Sequence, residues 1–161
     1  MNKSTLAGTG LAVAAAAGTG SVASPGSGNT PTWFARIRKP RYQPPSVAFP
    51  LVWTTLYTDI AVSSATVVDR FRATGREDKA RSYIRALGAN LVLNAGWSWL
   101  FFRYHKLGAS ALGAAALAVS SADLVRRAAE ADPRAGAALS PYPLWCGFAA
   151  VLSTDIWRLN R

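Results

Sequence analysis

Cysteine and histidine are nearly missing from this 161-residue chain, which has one of each, Cys146 and His105. A single cysteine forms no disulfide framework and no CxxC metal pair. A single histidine removes most histidine-based metal sites and the dyads built on imidazole. Charge is scarce as well. Asp, Glu, Lys and Arg make up 16% of the residues, where soluble domains carry about 25%. Carboxylates are the scarcer sign, 8 against 18 Lys and Arg, for a net charge of +10. These absences argue against an acid/base enzyme and against a metal centre, and they name no catalytic residue.

What is present is apolar. Half the residues are hydrophobic, and the mean hydropathy is +0.13. In a soluble protein a basic balance would point to nucleic acid. Here the cations cluster between apolar runs, as in 36-RIRKPR-41 and 70-RFRATGREDKAR-81. That is the pattern of membrane loops meeting anionic headgroups. Membrane lipid, and no nucleic acid, is the expected partner. The length fits one domain.

Five apolar segments are expected to span. Residues 5–24 are uncharged and rich in Gly, Ala, Ser and Thr. They read either as a tightly packed first helix or as a secretory signal with a cleavage site at Ser21-Val22-Ala23. A Gly/Ser/Pro linker, 24-SPGSGNTP-31, follows. The segment 32–43 sets Trp33, Phe34 and Tyr42 among four cations, a loop for the headgroup level or for folding over the bundle. The next spans are 46–68, 82–102 and 107–125. Asp132 caps a further helix, with Pro133 at its first position, that runs to about residue 157. Residues 1–30 thus form a weak first span plus linker, and 31–161 a basic lid and four spans. Lys and Arg divide almost evenly between the two sides, so the positive-inside rule gives no orientation.

Two stripes carry candidate chemistry. In 44-PPSVAFPLVWTTLY-57, Pro44, Pro45 and Ser46 read as a helix start, and Pro50 should bend the axis. Trp53 and Tyr57 share a face four residues apart. They suit either a pocket mouth or an interfacial aromatic belt. In the 82–102 span, Asn90, Asn94, Trp97 and Phe101 continue one face, which should point into the bundle because lipid cannot satisfy amides. Asp59 lies at membrane depth, a functional candidate or a hydrogen-bonded helix contact. Asp155, near its helix end, should reach water or Arg158.

Three blocks in order, Trp33 with 39-KPRYQPPSVAFPLVWTTLY-57, 93-LNAGWSWLFF-102 and 141-PYPLWCGFAAVLSTDIWRLN-160, resemble the TspO/translocator protein family of tryptophan-rich sensory proteins. The resemblance implies an all-α, five-transmembrane-helix bundle, usually a homodimer, in the bacterial cell membrane. It favours a first span over a signal. It implies a receptor or transporter for tetrapyrroles, porphyrin or haem, acting in stress or tetrapyrrole regulation. No cofactor is implied as required. The alternative it carries is a light-dependent porphyrin-degrading enzyme. The matching pocket positions are Trp53, Tyr57, Asn94, Trp97, Trp145, Phe148 and Ala149, with Trp33 in the lid over the mouth. Trp145, Phe148 and Ala149 share a helical face, and Ala149 leaves room beside the tryptophans. The basic lid residues Arg36, Arg38, Lys39 and Arg41 suit either porphyrin propionates or lipid headgroups. The small residues of 108-GASALGAAALA-118 are a candidate packing face for a second copy. Ser153 and Thr154 stand where relatives carry Asn and, in mitochondrial members, a tyrosine of a proposed sterol motif, so sterol binding is not expected.

Overall fold

The structure is a computed structural model that describes residues 2–23 and 30–161, with side chains from Trp33 onward in the second stretch. The elements are all helical among the described residues. They are α1 (Lys3–Ala23), α2 (Thr30–Arg36), α3 (Ala48–Ala73), α4 (Glu77–Ser98), a π-helical turn (Trp99–Arg103), α5 (Leu107–Ala131), α6 (Pro133–Leu139) and α7 (Pro141–Leu159). Residues 24–29 of the expected linker lie outside the described residues.

α1, α3, α5 and the α6–α7 pair are each long and apolar enough to cross a membrane. α4 falls short on composition because its first turns carry Glu77, Asp78, Lys79, Arg81 and Arg85. It is nonetheless 22 residues long, about 33 Å at 1.5 Å per residue. α1 is a bundle helix: Val13 and Ala16 join the core, and Thr9 Oγ1 donates to Ala61 O of α3 at 2.9 Å.

Several boundaries differ from the sequence expectation. α3 starts at Ala48, not at Pro44. Pro45 instead accepts from Ala48 N at 2.9 Å, closing a turn ahead of the helix. Pro50 then sits in the first turn, where its missing N–H had no partner to lose, so no bond is broken to bend the axis. α5 continues to Ala131, past the expected end at 125, because Arg126, Arg127 and Glu130 face outward into ion pairs with Asp123 and Lys79. The last segment is two helices. Asp132 caps α6 as expected, accepting from Arg134 N at 2.9 Å with Pro133 in the first turn. The chain then restarts at Pro141. Gly136 permits the close return of α6 on α5, since a Cβ there would lie 2.8 Å from that of Ala129.

The core runs along the axis through Leu56, Ile60, Val67, Phe71, Tyr83, Leu87, Leu117, Leu124 and Tyr142. The chain ends point to opposite ends of the bundle. Asn2 N donates to Asp69 Oδ2 at the end of α3, while Asn160 holds Arg38 at the other.

Candidate functional site

At the Arg38 end the helices diverge around a cavity of about 460 Å³. Its walls come from six elements. α3 contributes Phe49, Pro50, Trp53, Thr54 and Tyr57; α4 and the π turn contribute Trp97, Ser98, Phe101 and Phe102; α7 contributes Ala149, Leu152, Ser153 and Ile156. Ala17, Gly20 and Ser21 of α1 and Phe34 of α2 complete it, with Ser46 at the rim. A π turn widens the helix, so residues 97, 98, 101 and 102 all face inward, and such turns recur at functional sites. Trp97 and Phe101 stack with centroids 5.9 Å apart, and Phe102 meets Phe101 edge-on at 4.8 Å. Trp53 lies over Tyr57 at 5.4 Å and beside Trp97 at 6.4 Å. The Trp97 indole is 8% exposed, and its Nε1–H has no partner among the described residues. An unpaired buried donor is costly.

Four of the eight residues singled out from the sequence line the cavity: Trp53, Tyr57, Trp97 and Ala149. The other four lie around it. Asn94 is beneath the floor, accepting from Tyr57 Oη at 2.8 Å and donating to Tyr142 Oη at 3.2 Å. Tyr142 in turn donates to Asn90 Oδ1 at 2.7 Å, and Asn90 Nδ2 donates to Ser120 Oγ at 3.1 Å. This chain of bonds ties α3, α4, α7 and α5 together, so the amides of the stripe serve as structure under the cavity. Trp145 is separated from the space by Phe49, whose ring it meets edge-on at 5.9 Å. Phe148 packs between Trp145, at 5.4 Å, and Tyr42, at 6.3 Å. Trp33 belongs to the lid but not to the lining; it stacks on His105 at 3.9 Å and meets Phe101 edge-on at 6.0 Å. Its neighbour Phe34 lines the space instead. The aromatic clusters 49 and 101–102 were the readable signal for residues passed over. The contribution of α1 had none, because its small residues carry no chemistry.

The lid is fastened to α7. Asn160 grips the Arg38 backbone both ways, accepting from its N–H at 2.9 Å and donating to its carbonyl at 2.8 Å. Tyr42 Oη donates to Asp155 Oδ2 at 2.6 Å. That bond to a carboxylate pushes the Tyr42 phenol up to about 12. Asp155 also faces Arg158 at 3.7 Å. Lys39 Nζ lies 4.7 Å from the Phe34 ring centre and bonds the carbonyls of Ala35 and Ile37, which fits a cation at a helix end. Asp59 lies outside the lining and accepts from Ser63 Oγ at 2.7 Å. Part of the expected small-residue face of α5 packs inside the fold, while Ala109, Ala115 and Ala116 are exposed. A Cβ on Gly108 would come within 3.2 Å of Trp157, and one on Gly113 within 3.6 Å of Leu100.

Fold and site together define an integral membrane helical protein with an aromatic cavity beneath a basic, tryptophan-bearing lid. The model of the TspO/MBR family matches residues 9–158. The chain is 30% identical to Protein CrtK of Rhodobacter capsulatus over 93% of this chain and 89% of that one. It is 28% identical to the human translocator protein, covering 80% and 75% of the two chains. It is 26% identical to the tryptophan-rich sensory protein of Cereibacter sphaeroides, covering 80% and 77%. The chain belongs to the TspO/MBR family.

Proposed function

We propose that this protein is a five-span membrane receptor or transporter for tetrapyrroles, porphyrin or haem, acting in stress or tetrapyrrole regulation, and not an enzyme. The observation that carries the reading is the cavity itself. Its volume falls within the roughly 300–1,000 Å³ of small-molecule pockets, and its walls carry seven aromatic side chains. A flat macrocycle matches the faces of Trp53, Tyr57 and Trp97, and each stacked pair adds about 0.5–1.5 kcal/mol beyond area burial. Arg36, Arg38 and Arg41 lie in the lid segment, within the end of the molecule where a macrocycle's propionates would emerge. Membrane lipid and a second copy are the partners proposed for the outward faces of α5 and α7, where Leu112, Val119, Leu144 and Val151 are exposed.

Quenching of tryptophan emission by protoporphyrin IX tests the reading. Trp53→Phe and Trp97→Phe are each expected to weaken binding by about 2–10-fold, the worth of one stacked contact. Trp145→Phe, outside the lining, should change it less. Undiminished affinity in the Trp53/Trp97 double variant rejects this site. A new absorbing product on illumination, lost in that double variant, would favour the light-dependent degrading enzyme.

A further inference from the structure

We propose that the cavity loads from the bilayer, through a gap between the upper halves of α1 and α3, and not through the lid; this rests on the tetrapyrrole reading above. The gap follows from how α1 is tethered. Its lower half is held to α3 by the Thr9–Ala61 bond at 2.9 Å. Its upper half leans instead on the α4 end: Trp99 Nε1 donates to Thr19 O at 3.1 Å, and a Cβ on Gly20 would come within 3.3 Å of Ser98 Oγ. Toward the lid end the ties of α1 thus run to the α4 end, and the cavity is what lies between α1 and α3. Ala17 and Ser21 on one helix and Pro50 and Thr54 on the other line the cavity at this level. Ser21, Pro50 and Thr54 are exposed, so the lining reaches the outer surface there. Both helices are apolar enough to cross a membrane, which sets the opening against lipid.

The edges of the gap suit an apolar passenger. Ser21 Oγ donates to Gly18 O, and Thr54 Oγ1 to Pro50 O, each at 2.8 Å. Each hydroxyl bonds its own helix backbone, so the edges offer carbon to what passes and need no water. The lid side is the reverse. It is closed by the two-way Asn160–Arg38 clamp, the Tyr42–Asp155 bond and the Trp33–His105 stack. A flat, largely apolar anion already partitioned into the membrane meets the lateral gap with no bond to break.

The test uses the full chain in phosphatidylcholine nanodiscs, with protoporphyrin IX delivered from donor vesicles and tryptophan quenching followed in time. Thr54→Leu and Ser21→Leu narrow the gap. Each is expected to slow loading and release together by about tenfold, as a narrowed gate does, with a smaller change in affinity. Both positions are exposed, so either variant serves if the other fails to fold. Asn160→Ala, which loosens the lid, should leave the rates within about twofold, since the lid is not the gate. Rates unchanged in both leucine variants, or raised by Asn160→Ala, overturn the lateral route. Absence of quenching in the parent protein rejects the porphyrin reading alone. The route is then read with nanodiscs of dibrominated phosphatidylcholine. The emission component lost in Trp53→Phe should be quenched in the parent and less so in Thr54→Leu; equal quenching in the two overturns the gap.

Discussion

Tyr142 is fully buried and holds both Asn94 and Asn90, whereas Tyr57 is half-buried and holds only Asn94 Oδ1. The two phenols differ in what their loss leaves behind. An interhelical hydrogen bond in a bilayer is worth about 0.6 kcal/mol on average. A buried group left without any partner costs about 1–3 kcal/mol. Tyr57→Phe leaves one buried acceptor, Asn94 Oδ1, unpaired and should cost about 1 kcal/mol, the low end of that range. Tyr142→Phe leaves two buried groups, the Asn90 carbonyl and the Asn94 amide, unpaired and should cost about twice as much. Unfolding in mixed micelles by added SDS measures both, and equal losses would mean that the network is not cooperative. The residue scale is also where the sequence misleads most. Spacing put Asn90, Asn94, Trp97 and Phe101 on one inward face, and that face is inward. It could not say that the amides lie below the cavity and the rings around it, because depth along the axis depends on how far neighbouring helices slide. Trp145 shows the same limit: it shares a face with Ala149, but Phe49 of another helix stands between it and the space.

Among the elements, the lid is the one whose state is set by few bonds. The segment 36–41 carries three sites for trypsin, after Arg36, Arg38 and Arg41, the bond after Lys39 being blocked by Pro40. Asn160→Ala removes two exposed bonds to Arg38, each near the low end of about 0.5–1.5 kcal/mol. Cleavage that follows the opening equilibrium should then speed up by about fivefold; an unchanged rate would show that other contacts hold the lid. The Tyr42–Asp155 bond predicts a second signature. The folded phenol sits at about 12, above its unfolded value near 10. A group whose folded pKa is raised stabilises fully below the unfolded value and loses that contribution as pH climbs between the two. The lid tie should thus be intact through neutral pH and fail only between about 10 and 12. An ultraviolet titration of the parent minus Tyr42→Phe should show one tyrosinate forming in that window, and titration near 10 would mean the bond is absent. None of this tie was legible in the chain order. Residues 38 and 160, like 42 and 155, meet only because the ends of the bundle bring them together. The α6 cap, by contrast, was legible in 132–133, since a local side-chain bond needs no distant partner.

For the whole molecule, the long apolar runs were readable because length and lack of charge suffice to mark a helix that avoids water. α4 is the difficult member, with a charged start and only its second half apolar. Three placements argue that it crosses as well. Its first residues follow Arg76, whose N–H bonds Phe71 O at the end of α3, and its last reach Trp99, bonded to Thr19 at the far end of α1. Asn90 and Asn94 are buried midway, which hides from lipid the groups that lipid could not satisfy. Arg81 and Arg85, in its first three turns, can extend along the helix toward the headgroups. On the five-span reading proposed above, α4 is the fifth crossing and the count is odd. Asn2 and Asn160 already lie at opposite ends. Cysteines placed at Asn2 and at Arg161, with Cys146 buried and inert, should therefore react with an impermeant maleimide from opposite faces of oriented vesicles. Labelling of both from one face would mean an even count, and would take α4 out of the membrane.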